Sequence, residues 1–188
     1  MKFQGDILIT DPCYIIRDGN GGFAEGLTED DWEESDYGQD LEKLGISNYI
    51  TEDSGGDGSW KIYQCSDPDK ALKEIDELQI KIESYDYKTQ EKEYHAALDA
   101  MDEYLDGFTC LGHFCADSGT SSVLAMDEVD KYNPKVRDWV KAHDWCATIL
   151  SDFDGEIEEV KLSAHSKTWP HLTYLHFIGK GNINFFTA

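Results

Sequence analysis

Basic residues are scarce in this chain. Sixteen Lys and Arg stand against thirty-nine Asp and Glu, a formal net charge of −23 at pH 7. Such a field repels nucleic acid and anionic membranes, and it attracts basic protein surfaces. No apolar run is long enough to span a membrane. The opening residues, MKFQGDILIT, have no apolar core followed by a cleavage site. A cytoplasmic protein is therefore expected. There is no CxxC pair and no HExxH helix, which removes the usual zinc signatures. The glycine-rich stretch from Asp53 to Gly58 lacks the lysine and Ser/Thr of a phosphate-binding loop, and its acids repel phosphate. No internal repeat or low-complexity linker interrupts the chain.

What is present points to a folded protein. Hydrophobic residues make up 40% of the sequence and aromatic residues 12%, too many for a disordered chain. A length of 188 residues suits one domain over 1–188 with a real core. The five cysteines, Cys13, Cys65, Cys110, Cys115 and Cys146, are odd in number, and reduced thiols are expected. The negative charge is concentrated. Residues 24–106 hold twenty-five acids and seven bases, net −18, whereas 1–23 carry net −1 and 107–188 net −4.

Two segments frame the candidate chemistry. Gly5–Ile16 reads GDILITDPCYII and Gly112–Met126 reads GHFCADSGTSSVLAM. Each is a β-prone run broken by a small polar knot. Branched Ile7, Ile9 and Thr10 favour a strand. Pro12 has no amide donor and restricts Asp11, so the ladder should stop there. If the backbone stays extended, Asp11 and Cys13 share one face, and so do His113, Cys115 and Asp117. The metal set expected from this juxtaposition is Cys13, His113, Cys115 and Asp117, with thiolate and imidazole ligands suited to zinc. Oxygen ligation of a divalent cation by Asp11, Asp117, Asp152 and Asp154 is the other form of a metal site. Against both stands the structural reading, in which Cys fills space and Asp beside Pro or Gly makes turns.

The periodicity predicts an α+β protein, mainly an antiparallel β sheet or partly open barrel, with an inserted acidic helical hairpin over about 66–106. Strands are expected over Lys2–Thr10, Ile46–Thr51, Trp60–Cys65, Phe108–Cys115, Thr120–Met126, Cys146–Leu150, Ile157–Leu162, Tyr174–Gly179 and Ile183–Thr187. Tyr14–Ile16 is expected to continue the first strand or to start the next, and Asp152–Gly155 to be a turn. Thr28 is placed as the cap of a helix within Leu27–Gly45, with Trp32 as its anchor. Asp67 and Pro68 form a helix start, with Leu72, Ile75, Leu78 and Ile82 on one face. Tyr94, Ala97, Leu98, Met101 and Leu105 line a second helix. Asn133-Pro134 starts another helix, with Val136, Trp139 and Val140 facing in. The outer faces of the hairpin carry Glu74, Asp76, Glu77, Glu83, Glu91, Glu93, Asp99, Asp102 and Glu103.

The Asp11-Pro12-Cys13-Tyr14 and Asp117-Ser118-Gly119-Thr120 motifs, with Trp145–Thr148 and Asp152–Gly155, resemble small uncharacterised proteins of phages and gut bacteria. The resemblance covers the β parts and not the acidic middle. It implies a mobile-element context and no catalytic residues. The function expected is that of an acidic inhibitor of anti-CRISPR or anti-restriction type. Its nine hairpin carboxylates would mimic phosphates toward a basic nucleic-acid-binding protein such as a Cas or restriction enzyme. The alternative is a metal-dependent hydrolase or nucleotide-binding enzyme using Asp11, Cys13 and Asp117.

Overall fold

The computed structural model describes residues 1–16, 37–53, 57–161, 173–179 and 185–187; of 52–53, 158–161, 173–179, 185 and 186 only the backbone is described. Eight strands form one antiparallel sheet in the order β2-β5-β1-β6-β7-β8-β3-β4. The strands are β1 (Lys2–Thr10), β2 (Tyr49–Asp53), β3 (Gly58–Gln64), β4 (Thr109–Ala116), β5 (Thr120–Ala125), β6 (Ala147–Lys161), β7 (Thr173–Gly179) and β8 (Phe185–Thr187). The helices are α1 (Cys13–Ile16), α2 (Tyr37–Lys43), α3 (Pro68–Glu83), α4 (Glu91–Asp106), α5 (Met126–Tyr132) and α6 (Val136–Ala142). The α+β class and the open antiparallel sheet are as the sequence predicts. No helix among the described residues is long and apolar enough to cross a membrane.

Strand β1 is central, and its sequence shows why. Ile7, Leu8, Ile9 and Thr10 are all fully buried. Ile7 and Ile9 point into one core with Phe3, Ile62, Phe114, Val123 and Phe153. Leu8 points into the other, beneath the helices, with Ile15, Leu41, Ile46, Met126, Val129 and Val140. A strand covered on both faces reads as a continuous apolar run rather than an alternation.

Three expectations are corrected. Tyr14–Ile16 is not a strand but part of the short helix α1. Asp11 accepts the Cys13 amide at 2.8 Å, and the amides of Ile15 and Ile16 both reach the Pro12 carbonyl at 3.0 Å. Asp-Pro thus starts a helix here, as it does again at Asp67-Pro68, where Asp67 accepts the Lys70 amide at 3.1 Å. Asp152–Gly155 is not a turn: β6 runs straight through it. The pairing with β1 skips a residue between Gly5 and Ile7, Gly5 sits at φ +98°, and Asp152 at φ 56°. This is a bulge, which bends the long strand. Met126 ends no strand; it opens α5, a helix the sequence did not announce.

Of the stretch Leu27–Gly45 the described residues 37–45 hold the helix α2, closed by Gly45 at φ +80° with the Ile46 amide reaching back to the Leu41 carbonyl. Thr28 and Trp32 lie outside the described residues.

An ion-pair cluster and a hydrogen-bonded carboxylate tie the helices to the sheet. Arg137 on α6 bonds Asp6 at 2.7 Å and Asp130 at 2.8 Å. Glu128 on α5 accepts the Asn48 amide at 2.9 Å and the Ser47 hydroxyl at 3.1 Å. Partial burial works against ionised Glu128, but the amides of Asn48 and Ser47 outweigh it and hold the carboxyl below its ordinary range. A carboxyl with a lowered folded pKa stabilises above its unfolded pKa, and that contribution is lost as pH falls through the folded value. Wild type should therefore be more stable than Glu128→Gln at pH 7 by about 1 kcal/mol. Denaturant melts should show the gap closing as pH falls toward about 3, below the ordinary carboxylate range. A gap independent of pH would contradict the assignment.

Candidate functional site

The two knots of the sequence meet. Asp11 is fully buried and its carboxylate takes four donors. One oxygen accepts the Cys13 amide at 2.8 Å and the Ser118 hydroxyl at 2.8 Å. The other accepts the amides of Asp117 and Ser118, each at 2.7 Å. A carboxylate offers about four lone-pair positions, so this one is saturated. The Tyr14 hydroxyl donates to Asp117, and burial together with that bond raises the Tyr14 pKa. The result braces the end of β1 and the start of α1 against the β4–β5 turn.

The expected metal set is not assembled. Among the described residues no group of three or more His, Cys, Asp or Glu is placed to hold a metal ion. Cys13 is buried at the start of α1, because the chain turns into a helix instead of staying extended. Cys115 is buried and its thiol donates to the Trp145 carbonyl at 3.3 Å. Asp117 is exposed, and His113 is half-buried on β4. Of the oxygen set, Asp11 has spent its lone pairs, Asp152 lies at the bulge of β6, and Asp154 pairs in regular register with Gln4. Burial, with Cys115 close by, pushes the Cys146 thiol up to about 11, which leaves it a poor nucleophile.

Beside the knot runs a seam that sequence reasoning missed. Strand β4 returns against the start of β6, where the Cys115 amide meets the Cys146 carbonyl at 3.2 Å. Two residues further along, the Thr148 hydroxyl takes the place of a backbone partner. It accepts the His113 amide at 2.9 Å and donates to the His113 carbonyl at 2.7 Å. Gly112 makes room for it: a Cβ there would lie 2.1 Å from the Thr148 hydroxyl oxygen.

The hairpin is the other candidate. Helix α3 docks on the sheet through Ala71, Leu72 and Ile75 against Tyr63, joined by Met101, Tyr104, Leu105 and Phe108. Ile82 is also buried. Helix α4 is an outrigger whose only fully buried residue is Ala97. Of the nine predicted contact residues, Glu74, Glu77, Glu91, Glu93, Asp99, Asp102 and Glu103 are exposed, and Asp76 and Glu83 are half-buried. Asp106, which the sequence reading passed over, is exposed too. Asp99, Asp102, Glu103 and Asp106 fall at i, i+3, i+4 and i+7, on one face of α4. Among the described residues none of these four is ion-paired, and no base stands in the last turn. Comparison with protein-family models, curated proteins and solved structures gives no match.

Proposed function

We propose that this chain is an acidic binding protein that sets its α3–α4 hairpin into the basic groove of a nucleic-acid-handling protein. In this reading it acts in the cytoplasm as an inhibitor of anti-CRISPR or anti-restriction type. The observation that carries the reading is the stripe Asp99, Asp102, Glu103 and Asp106. These acids oppose their own helix. Two of them sit in its last turn, where the dipole favours cations, and like charges recur at i, i+4. Together these terms cost on the order of 1–2 kcal/mol. Features kept against local stability mark surfaces selected for something else. Spaced carboxylates on a projecting helix suit Arg and Lys that ordinarily hold phosphates. The resemblance of the two knots to phage proteins adds the mobile-element setting.

The enzyme reading, a metal-dependent hydrolase or nucleotide-binding enzyme at Asp11, Cys13 and Asp117, gains no support from the geometry. The acceptor positions of Asp11 are already taken by four protein donors, which leaves none for a metal.

Competition tests the binding reading. The protein should displace DNA from at least one member of a panel of Cas nucleases and restriction enzymes. Displacement should weaken steeply as salt rises from about 50 to about 500 mM, because exposed charges are then screened. Failure to displace from any member at low salt, or displacement insensitive to salt, contradicts it.

A further inference from the structure

The far end of the hairpin is aromatic, not merely acidic. Tyr87, in the connection between α3 and α4, is 54% exposed. Its ring meets Tyr94 edge-on at 5.4 Å and His95 at 5.9 Å, and Tyr94 meets His95 at 5.8 Å. Ile80, in the last turn of α3, is 43% exposed. A large ring left in water, as Tyr87 is, forgoes burial, and edge contacts join it to half-buried Tyr94 and exposed His95. Pre-ordered Tyr is the residue type that anchors protein interfaces at low entropic cost.

The cluster is continuous with the acidic stripe. His95 stands four residues before Asp99, so it heads the face that carries Asp99, Asp102, Glu103 and Asp106. At 1.5 Å per residue that face extends roughly 16 Å from His95 to Asp106. Lys88 and Lys92 stand near the tip and reduce its local negative charge, so the tip is not simply more of the same surface. Helix α4 itself holds six acids and one base.

We infer that the hairpin tip is an arginine-selective anchor: Tyr87 stacks a guanidinium of the basic partner while the carboxylates of α4 pair with its neighbours. This deepens the binding reading and rests on it. Guanidinium is planar, weakly hydrated and able to lie on an aromatic face, whereas ammonium is a strongly hydrated point charge. A partner of that chemistry complements both the rings and the charge.

Deca-arginine and deca-lysine serve as probes, titrated into the full chain at about 50 mM salt, where exposed charges are little screened. Wild type should bind both and prefer deca-arginine. Tyr87→Ala should weaken deca-arginine binding about three- to tenfold and leave deca-lysine unchanged. Tyr87→Phe, which keeps the ring, should behave as wild type. The variant Asp99→Asn/Asp102→Asn/Glu103→Gln/Asp106→Asn should weaken both peptides. If both peptides bind and Tyr87→Ala changes neither, or changes both alike, the anchor is overturned and the acidic reading stands. If neither peptide binds wild type, the acidic reading fails and the anchor with it.

Discussion

Replacing Asp11 by Ala should cost about 3–5 kcal/mol, because it strands one buried and three part-buried donors at once. The carboxylate is inaccessible to water and serves the amides of Cys13, Asp117 and Ser118 and the Ser118 hydroxyl. Hydrogen bonds to an ionised acceptor are the strong ones, and a buried amide left without a partner pays its full desolvation. The loss corresponds to roughly 6–20 °C in melting temperature for a chain of this size. Asp11→Asn should be milder: its carbonyl oxygen keeps the two amides of the β4–β5 turn, while its NH2 meets the Cys13 donor. Asp117→Ala, at an exposed side chain, should cost about 1 kcal/mol or less. Thermal and denaturant melts of the three variants give the order. Equal melting of Asp11→Ala and Asp117→Ala would show that Asp11 is not the brace.

Gly112→Ala should be nearly as damaging, at about 3 kcal/mol. The new methyl would lie 2.1 Å from the Thr148 hydroxyl oxygen, 2.6 Å from its Cγ2 and 2.9 Å from its Cβ. Thr is branched and stiff at χ1, so it cannot swing aside without losing both bonds to His113. Thr148→Ala alone should cost about 1–3 kcal/mol, since it leaves the His113 amide and carbonyl unpaired. The double variant should cost less than the sum of the singles by about 1 kcal/mol or more, because each removes what the other would disturb. The third contact, at 2.9 Å, keeps the rescue partial. Strict additivity would mean that the β4–β6 seam does not work as described.

What could be read from the sequence was local, and what could not was either short or distant. The α3 start was legible because Asp67-Pro68 precedes four apolar residues at helical spacing. The same pair at Asp11-Pro12 starts α1, but four residues are too few to show a period, and Tyr-Ile-Ile reads equally well as strand. Asp152–Gly155 has turn composition, yet Asp152 sits in the bulge that bends β6 and the other three pair regularly with β1. Met126 looked like the end of an apolar run, because α5 spans only seven residues. The meeting of the two polar knots and a structural use for them were suggested by their shared pattern, whereas the form of that use was not: saturation of Asp11 by four donors depends on backbone amides that composition cannot show. The Gly112–Thr148 fit joins residues far apart in the chain and left no trace in either segment.

The hairpin charge was visible as composition and the hairpin's end was placed near 106, but the stripe against the helix dipole is complete only with Asp106, the last residue of α4. That placement makes the central claim testable without knowing the partner. The most direct measurement compares wild type with Asp99→Asn/Asp102→Asn/Glu103→Gln/Asp106→Asn in paired experiments, thermal melting and deca-arginine binding at low salt. The account predicts opposite movements: melting higher by about 2–8 °C, from about 1–2 kcal/mol of relieved repulsion, and binding at least several-fold weaker. A variant that melts lower than wild type, or that binds deca-arginine as tightly, would show that these acids serve the fold and not a basic partner.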